Sequence, residues 1–189
     1  MLKMRLGAGL LAIAFAMTID LAMTPGPARG GSGAEIDRDV DAALASMYAA
    51  VPNSRQLGNQ AKGVLVFPSI VKAGLIVGAQ GGKGVMFGPD GKILGYYRAR
   101  GVSYGMQAGA QTFSEAMFFM TDSAITALTS STGMSVGVGP SVVVVDAGMA
   151  RSMTTTTLKS DVYAFIFGQQ GLMAGLGVQG QRIVKFDDQ

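Results

Sequence analysis

The segment KAGLIVGAQGGKG, residues 72–84, joins an apolar run to closely spaced glycines and a final Lys-Gly pair. A phosphate-binding P-loop would need glycine and Ser/Thr at the positions that are Val77 and Gly84 here, so that motif fails twice. A dinucleotide-binding glycine loop must open a helix, and the residues after Gly84 show no helical pattern. The segment therefore predicts two antiparallel strands, 73–80 and 84–88, joined by a Gly-Gly-Lys turn.

The sequence downstream of this segment continues as short apolar runs separated by glycines. With 28 glycines and 49% hydrophobic residues, the chain suits a sheet with tight turns and closely packed strands. Asp90-Gly91 lies between two apolar pairs and is a strong hairpin signal, because glycine accepts the positive φ of such turns. A helix is predicted over Asp122–Leu128, with Thr121 as its N-cap.

A helix is also predicted upstream, from Glu35 to Val51, where apolar residues recur at spacings of three and four. Pro52 ends this helix, and its exposed side is acidic. A shorter helical or irregular stretch, Ser54–Lys62, precedes the strands. Because many sequential strands with short connections pair antiparallel, the order helix, strands, helix, strands predicts an α+β domain.

The residue types that the chain lacks exclude several kinds of chemistry. There is no Cys and no His, so thiolate or imidazole catalysis and the usual zinc ligands are excluded. Four carboxylates beside apolar residues remain as acid-base candidates: Glu115, Asp122, Asp146 and Asp161. No two of them are spaced so as to assign separate catalytic roles, and we expect no enzyme activity, no metal and no cofactor.

The first 28 residues have the composition of an export signal. Lys3 and Arg5 precede an uncharged, mostly apolar run that ends before Asp20, and small residues, Pro and Gly follow. The run is shorter than the about 20 residues of a membrane span, so a cleaved signal is favoured over a retained anchor. We predict a signal peptide and linker over 1–28, a single domain over 29–189, and an exported protein of the periplasm or cell surface. The lack of a Cys at the junction argues against a lipid anchor.

The net charge is small, +3 for the whole chain and +2 without residues 1–28, which excludes nucleic acid as a partner. Three lysines stand at the edges of apolar runs in otherwise uncharged sequence: Lys62, Lys72 and Lys83. If the strands form a meander, these lysines gather near one rim, where they contact anionic lipid headgroups. The alternative is that they only discourage aggregation of edge strands.

Methionines and tyrosines offer a second indication of lipid contact. Flexible methionines in the body of the chain could line a pocket for acyl chains, although core packing is the favoured interpretation; they include Met106, Met117, Met120, Met149, Met153 and Met173. Tyr96, Tyr97 and Tyr104 have amphipathic rings suited to the headgroup level of a membrane. Such tyrosines are equally ordinary in sheets.

Three collinear blocks together resemble the SYLF domain, also called the Ysc84 domain. The blocks are AKGVLVFPSIVKAGLIVGAQGGKGVMF (Ala61–Phe87), GMQAGAQTFSEAMFFMTDSAITAL (Gly105–Leu128) and DVYAFIFGQQGLMAGLGVQGQRI (Asp161–Ile183). The resemblance covers about Glu35 to Lys185, and the tract Val142–Thr157 is most similar to the secreted bacterial branch. It implies an α+β fold with a curved, mostly antiparallel sheet or partly closed barrel, an N-terminal helix and one inserted helix.

The resemblance also implies a function, because members bind phospholipids or phosphoinositides and, in the yeast type, actin. The matching lysines, Lys62, Lys72 and Lys83, are then the headgroup candidates. Eukaryotic members carry a basic amphipathic N-terminal helix where this chain has an acidic one, and an export signal argues against actin as a partner. We expect a non-enzymatic domain that binds anionic phospholipids at the bacterial envelope. The alternative is a structural or protein-interaction module that pairs an exposed sheet edge with a partner chain.

Overall fold

The computed structural model describes residues 33–136, 139–145 and 159–187, including the backbone of residues 105–107 and 172–179. The chain divides into two units, Met1–Gly30 and Gly31–Gln189. The predicted signal peptide, its cleavage site and most of the linker lie outside the described residues.

The helices form where the apolar periodicity predicts them. Helix α1 spans Gly33–Ala50 and buries Ile36, Val40 and Met47. Helix α2 follows over Ser54–Gln60. Helix α3 spans Asp122–Thr129, and the hydroxyl of Thr121 accepts a hydrogen bond from the backbone N–H of Ala124 at 3.3 Å. The predicted helices and the predicted N-cap are therefore confirmed.

The strands form a single, mostly antiparallel sheet in the described residues. They are β1 (Gly63–Phe87), β2 (Ile93–Phe119), β3 (Met134–Val136), β4 (Val142–Val145) and β5 (Val162–Phe186). Their order is β1-β2-β5-β3, and β4 pairs with β5 in parallel. The predicted Asp90-Gly91 hairpin connects β1 to β2, with Gly91 at a φ of 74°. These pairings confirm the predicted α+β fold.

The predicted Gly-Gly-Lys turn is wrong. Gly81, Gly82 and Lys83 lie inside β1 and continue its ladder with β2. The chain bends earlier, between Gly74 and Gly78, where the register shifts and Ile76 adopts a φ of 64°. A side chain on Gly74 would lie 2.6 Å from the carbonyl oxygen of Val77, so only glycine fits this bend.

The bend brings the two halves of β1 together and gives a nearly closed, barrel-like sheet. A Cβ on Gly82 would lie 2.6 Å from the carbonyl oxygen of Ser69, and a Cβ on Gly84 would collide with the carbonyl of Val66. The glycines that suggested a turn therefore allow two backbone segments to approach each other.

Two apolar clusters hold this architecture together. The inner cluster lies between the two halves of the folded sheet and includes Phe67, Met117 and Ile183. The outer cluster lies under α1 and α2 and includes Val85 and Phe118. Both clusters lie away from the bend, so the helices cover only one end of the long strands.

Candidate functional site

The structure does not bring the three predicted lysines together. Lys62 precedes β1, and its ammonium lies 3.9 Å from the carboxylate of Asp122. Lys72 is buried, with 8% of its surface exposed, between exposed neighbours on β1. Lys83 is half-buried and shares a face of β1 with Val85, whereas Lys72 shares the inner face with Ile70. A common rim of these lysines is therefore not formed.

The bend of the long strands instead presents a group of exposed apolar side chains, which we call the apolar tip. It consists of Leu75, Ile76, Val77, Val102 and Tyr104, each between 58% and 72% exposed. The sheet register explains why they form one surface: Val77 is opposite Tyr104, and Val102 lies two residues along β2 on the same face. Exposed apolar groups of this kind commonly mark an interaction surface.

Four cations follow the apolar tip on the outer face of the sheet, and we call them the basic row. Arg100 is two residues beyond Val102, and it lies directly opposite Arg182 of β5. Arg98 is the next outward-facing residue of β2, and it lies directly opposite Lys83 of β1. The basic row is thus Lys83, Arg98, Arg100 and Arg182.

The basic row lacks counter-charges among the described residues. The two ion pairs that the described residues form are Lys62–Asp122 and Lys92–Asp90, neither of which involves the row. Lys83 and Arg98 lie over the ring of Phe186, at 5.6 and 5.0 Å from its centroid. Arg182 donates two hydrogen bonds to the carbonyl oxygen of Thr132, at 3.1 and 2.6 Å. These contacts orient the cations without neutralising them.

The spacing between apolar tip and basic row follows from strand geometry. A strand rises about 3.4 Å per residue, so Arg100 lies about 7 Å and Arg98 about 14 Å beyond Val102 along β2. Further along the same face, the hydroxyl of Tyr96 donates to the carboxylate of Asp37 in acidic helix α1, at 3.4 Å. The face therefore changes from apolar to basic to acidic as it runs away from the bend.

The interior of the sheet becomes polar as it approaches the bend. Glu115 is buried and accepts a hydrogen bond from the side-chain amide of Gln181 at 2.9 Å. Burial raises the pKa of Glu115, and the hydrogen bond from Gln181 opposes this shift. Gln80 is buried as well, and neither its side-chain oxygen nor its side-chain nitrogen has a hydrogen-bond partner among the described residues. Lys72 and Ser103 complete this polar layer.

The other candidate carboxylates have structural roles where the structure describes them. Asp122 lies in the first turn of α3. Asp161 accepts hydrogen bonds from the backbone N–H and the hydroxyl of Ser141 and from the hydroxyl of Thr121. These bonds lower the pKa of Asp161. Asp146 lies outside the described residues.

The tyrosines and methionines divide between core and surface. Tyr97 is fully buried and Tyr96 is half-buried, whereas Tyr104 is exposed. Met117 packs in the inner cluster, as core packing predicts, and Met120 packs against the outer cluster. Met149, Met153 and the side chains of Met106 and Met173 lie outside what the structure describes.

Sequence reasoning missed the arginines and the apolar tip. The stretch YYRAR, residues 96–100, carries a partial signal, because Arg98 and Arg100 stand two apart and must share a face in a strand. Arg182 is some eighty residues away, and only the β2–β5 register brings it opposite Arg100.

Among the described residues, no helix has both the length and the apolar character needed to span a membrane.

Comparison with known proteins gives one family match. Residues 100–189 match the model of a family described as Ysc84, Las17-binding protein actin regulator. The matched region includes Arg100, Arg182 and all of β5. No curated protein matches the chain significantly. The family resemblance is thereby confirmed, whereas the secreted bacterial branch stays a prediction.

Proposed function

We propose, for a chain that belongs to the Ysc84 family through residues 100–189, a non-enzymatic role in binding anionic phospholipid membranes. The apolar tip enters the acyl region, and the basic row contacts the headgroups. With the predicted signal peptide, the protein would act at the bacterial envelope. The family description refers to actin regulation, which we do not carry over because actin is not an envelope component.

The observation that supports this proposal is that an exposed apolar tip and an uncompensated basic row share one face. The headgroup region of a bilayer is about 5–7 Å thick on each side. The separation of about 7 Å between Val102 and Arg100 places the guanidinium of Arg100 at headgroup level when Val102 lies in hydrocarbon. The acidic end of the face, at α1, then points away from the anionic surface.

The apolar and electrostatic contributions are of similar size. Burying a Val or Leu side chain fully is worth about 1.5–3 kcal/mol, so five partly exposed tip residues give on the order of 5 kcal/mol. A basic residue near an anionic surface adds about 1 kcal/mol, so four give about 4 kcal/mol. Because the two terms are comparable, complete loss of either should weaken vesicle binding by about 10³- to 10⁴-fold.

The alternative function, a protein-interaction module that uses an exposed sheet edge, has less support. Strand β1 is the outer strand on its side of the sheet, but its two halves approach each other at Gly82 and Gly84. That contact leaves less of the β1 backbone open to a partner strand. An apolar tip flanked by cations also fits a membrane better than it fits strand pairing.

Co-sedimentation with vesicles tests the proposed function. The protein should pellet with vesicles that contain phosphatidylglycerol and only weakly with pure phosphatidylcholine. The tip variant Leu75→Ser/Val77→Ser/Tyr104→Ser and the charge variant Arg98→Gln/Arg100→Gln/Arg182→Gln should each lose most binding.

The matched control for charge is Lys62→Gln/Lys92→Gln/Lys159→Gln, which also removes three cations, all of them exposed and outside the basic row, and should bind normally. Lys62→Gln should also bind normally, because Lys62 lies outside the basic row. Normal binding by both the tip and the charge variant would rule out this surface. No binding by the unmodified protein would make the interaction module the leading function.

A further inference from the structure

Arg100 and Arg182 form an unusual pair, because they are directly opposite each other on antiparallel strands β2 and β5. Opposed side chains on such strands have Cβ atoms about 4.5–5.5 Å apart, and like charges at that distance destabilise a sheet. Neither guanidinium forms an ion pair with a carboxylate of the described residues. Such a pair is suited to an anion that lies between the two cations.

Space for an anion is present beside the pair. A groove of about 420 Å³ lies over the outer face of β2, β5 and β3. Its lining includes Arg100 of β2, Gly180 and Arg182 of β5, and Ser135 of β3. A Cβ on Gly180 would meet no atom within 4 Å, so this glycine leaves the groove open.

The two guanidiniums differ in how they are held. Arg182 is oriented by its Nε and Nη2 hydrogen bonds to the carbonyl oxygen of Thr132, which leaves its remaining N–H groups available. Arg100 makes no hydrogen bond to the described residues, so its whole fork of donors is available. One arginine is thus positioned in advance, and the other can adjust to a ligand.

We infer that Arg100 and Arg182 form a subsite for a phosphomonoester group. A phosphomonoester carries a charge of about −1.5 to −2 at neutral pH, which matches two guanidiniums, whereas a phosphodiester carries a single negative charge. Arginine forks also bind phosphate oxygens in bidentate geometry. If the phosphomonoester belongs to a lipid headgroup, the inference rests on the proposed function, because insertion of the apolar tip would place the two arginines at headgroup level. The shared chemistry could also come from a free phosphate compound.

Vesicles of equal surface charge test the subsite. One set contains phosphatidic acid, which has a phosphomonoester headgroup, and the other contains enough phosphatidylglycerol to give the same zeta potential. The protein should bind the phosphatidic acid set about 5- to 10-fold more tightly. The variant Arg100→Lys/Arg182→Lys keeps both charges and loses the forks, so the ratio of its affinities for the two vesicle sets should fall to about one. The control Arg38→Lys/Arg55→Lys makes the same exchange elsewhere and should keep the preference.

The outcomes separate the subsite from the membrane function. No preference in the unmodified protein, or an unchanged preference in Arg100→Lys/Arg182→Lys, would overturn the subsite while leaving vesicle binding intact. Failure to bind either vesicle would refute the membrane function, and titration with glycerol 3-phosphate, followed by NMR, then tests the pair alone. Saturable binding that Arg100→Lys/Arg182→Lys loses would support a site for free phosphate compounds, and no binding would overturn it.

Discussion

Val85 and Val77 are the same residue type on the same face of the same strand, but Val85 is fully buried and Val77 is 59% exposed. Val85 belongs to the cluster under α1, whereas no described element covers Val77. The covered end of the long strands and the bend are thus built from similar residues with different surroundings. Apolar pattern determines which residues share a face, and helix placement determines whether that face becomes core or a binding surface.

The largest difference in stability is expected between alanine substitutions of an aromatic residue at the covered end and of one at the bend. Phe118 is fully buried and packs edge-to-face on Phe165, with ring centroids 5.4 Å apart. Phe118→Ala should lower the free energy of unfolding by about 3–5 kcal/mol. Tyr104→Ala at the bend should change it by less than about 0.5 kcal/mol. Urea unfolding measures both, and a similar loss in the two variants would mean that the tip is part of the core.

The next largest difference in stability is expected between valine substitutions at Gly82 and at Gly180. A side chain on Gly82 would strike the carbonyl of Ser69, so Gly82→Val should cost about 1–3 kcal/mol of stability by forcing the halves of β1 apart. Gly180→Val enters open space and should cost less than about 1 kcal/mol. Thermal unfolding compares the two variants. An unaffected Gly82→Val protein would contradict the close approach that shapes the barrel.

A single cation should have a smaller effect, seen in binding rather than folding. Arg100→Gln should weaken binding to phosphatidylglycerol vesicles by about fivefold, the equivalent of about 1 kcal/mol, and should make binding less dependent on salt. Lys92→Gln, at the β1–β2 hairpin, should leave both quantities unchanged. Equal effects of the two substitutions would mean that overall charge, and not the basic row, attracts the membrane.

Glu115 and Asp161 should make the stability of the protein depend on pH in opposite directions. The pKa of Glu115 is raised in the folded state, so the folded protein holds its proton longer, and stability falls as pH rises from about 4.5 to that raised pKa. Glu115→Gln should remove this fall. The pKa of Asp161 is lowered, so its contribution disappears as pH drops below about 4. Thermal unfolding between pH 3 and 8 measures both effects. If the stability of Glu115→Gln changed with pH in parallel with that of the unmodified protein, the prediction for Glu115 would be contradicted.

Local elements could be predicted from the sequence because they depend on neighbouring residues. The periodicity of α1, the Thr121 cap of α3 and the Asp90-Gly91 turn are signals of this kind. The bend of β1 could not be predicted, since a glycine run is compatible with a turn and with a close approach of backbones. The expected turn at Gly81–Lys83 also led to the prediction of a shared lysine rim. In the continuous strand, Lys72 and Lys83 are eleven residues apart, and an odd separation places them on opposite faces. The pairing of Arg100 with Arg182 depends on long-range register.

The chain contains no tryptophan, which allows the most direct measurement of the central claim. Tyr104→Trp places a fluorophore at the apolar tip, and Ile93→Trp places one at an exposed site near the hairpin end. With phosphatidylglycerol vesicles that carry brominated acyl chains, the Y104W protein should show a blue-shifted emission and strong quenching, and the I93W protein should show neither. Unshifted, unquenched emission from the Y104W protein, or equal quenching of both, would contradict insertion of the tip.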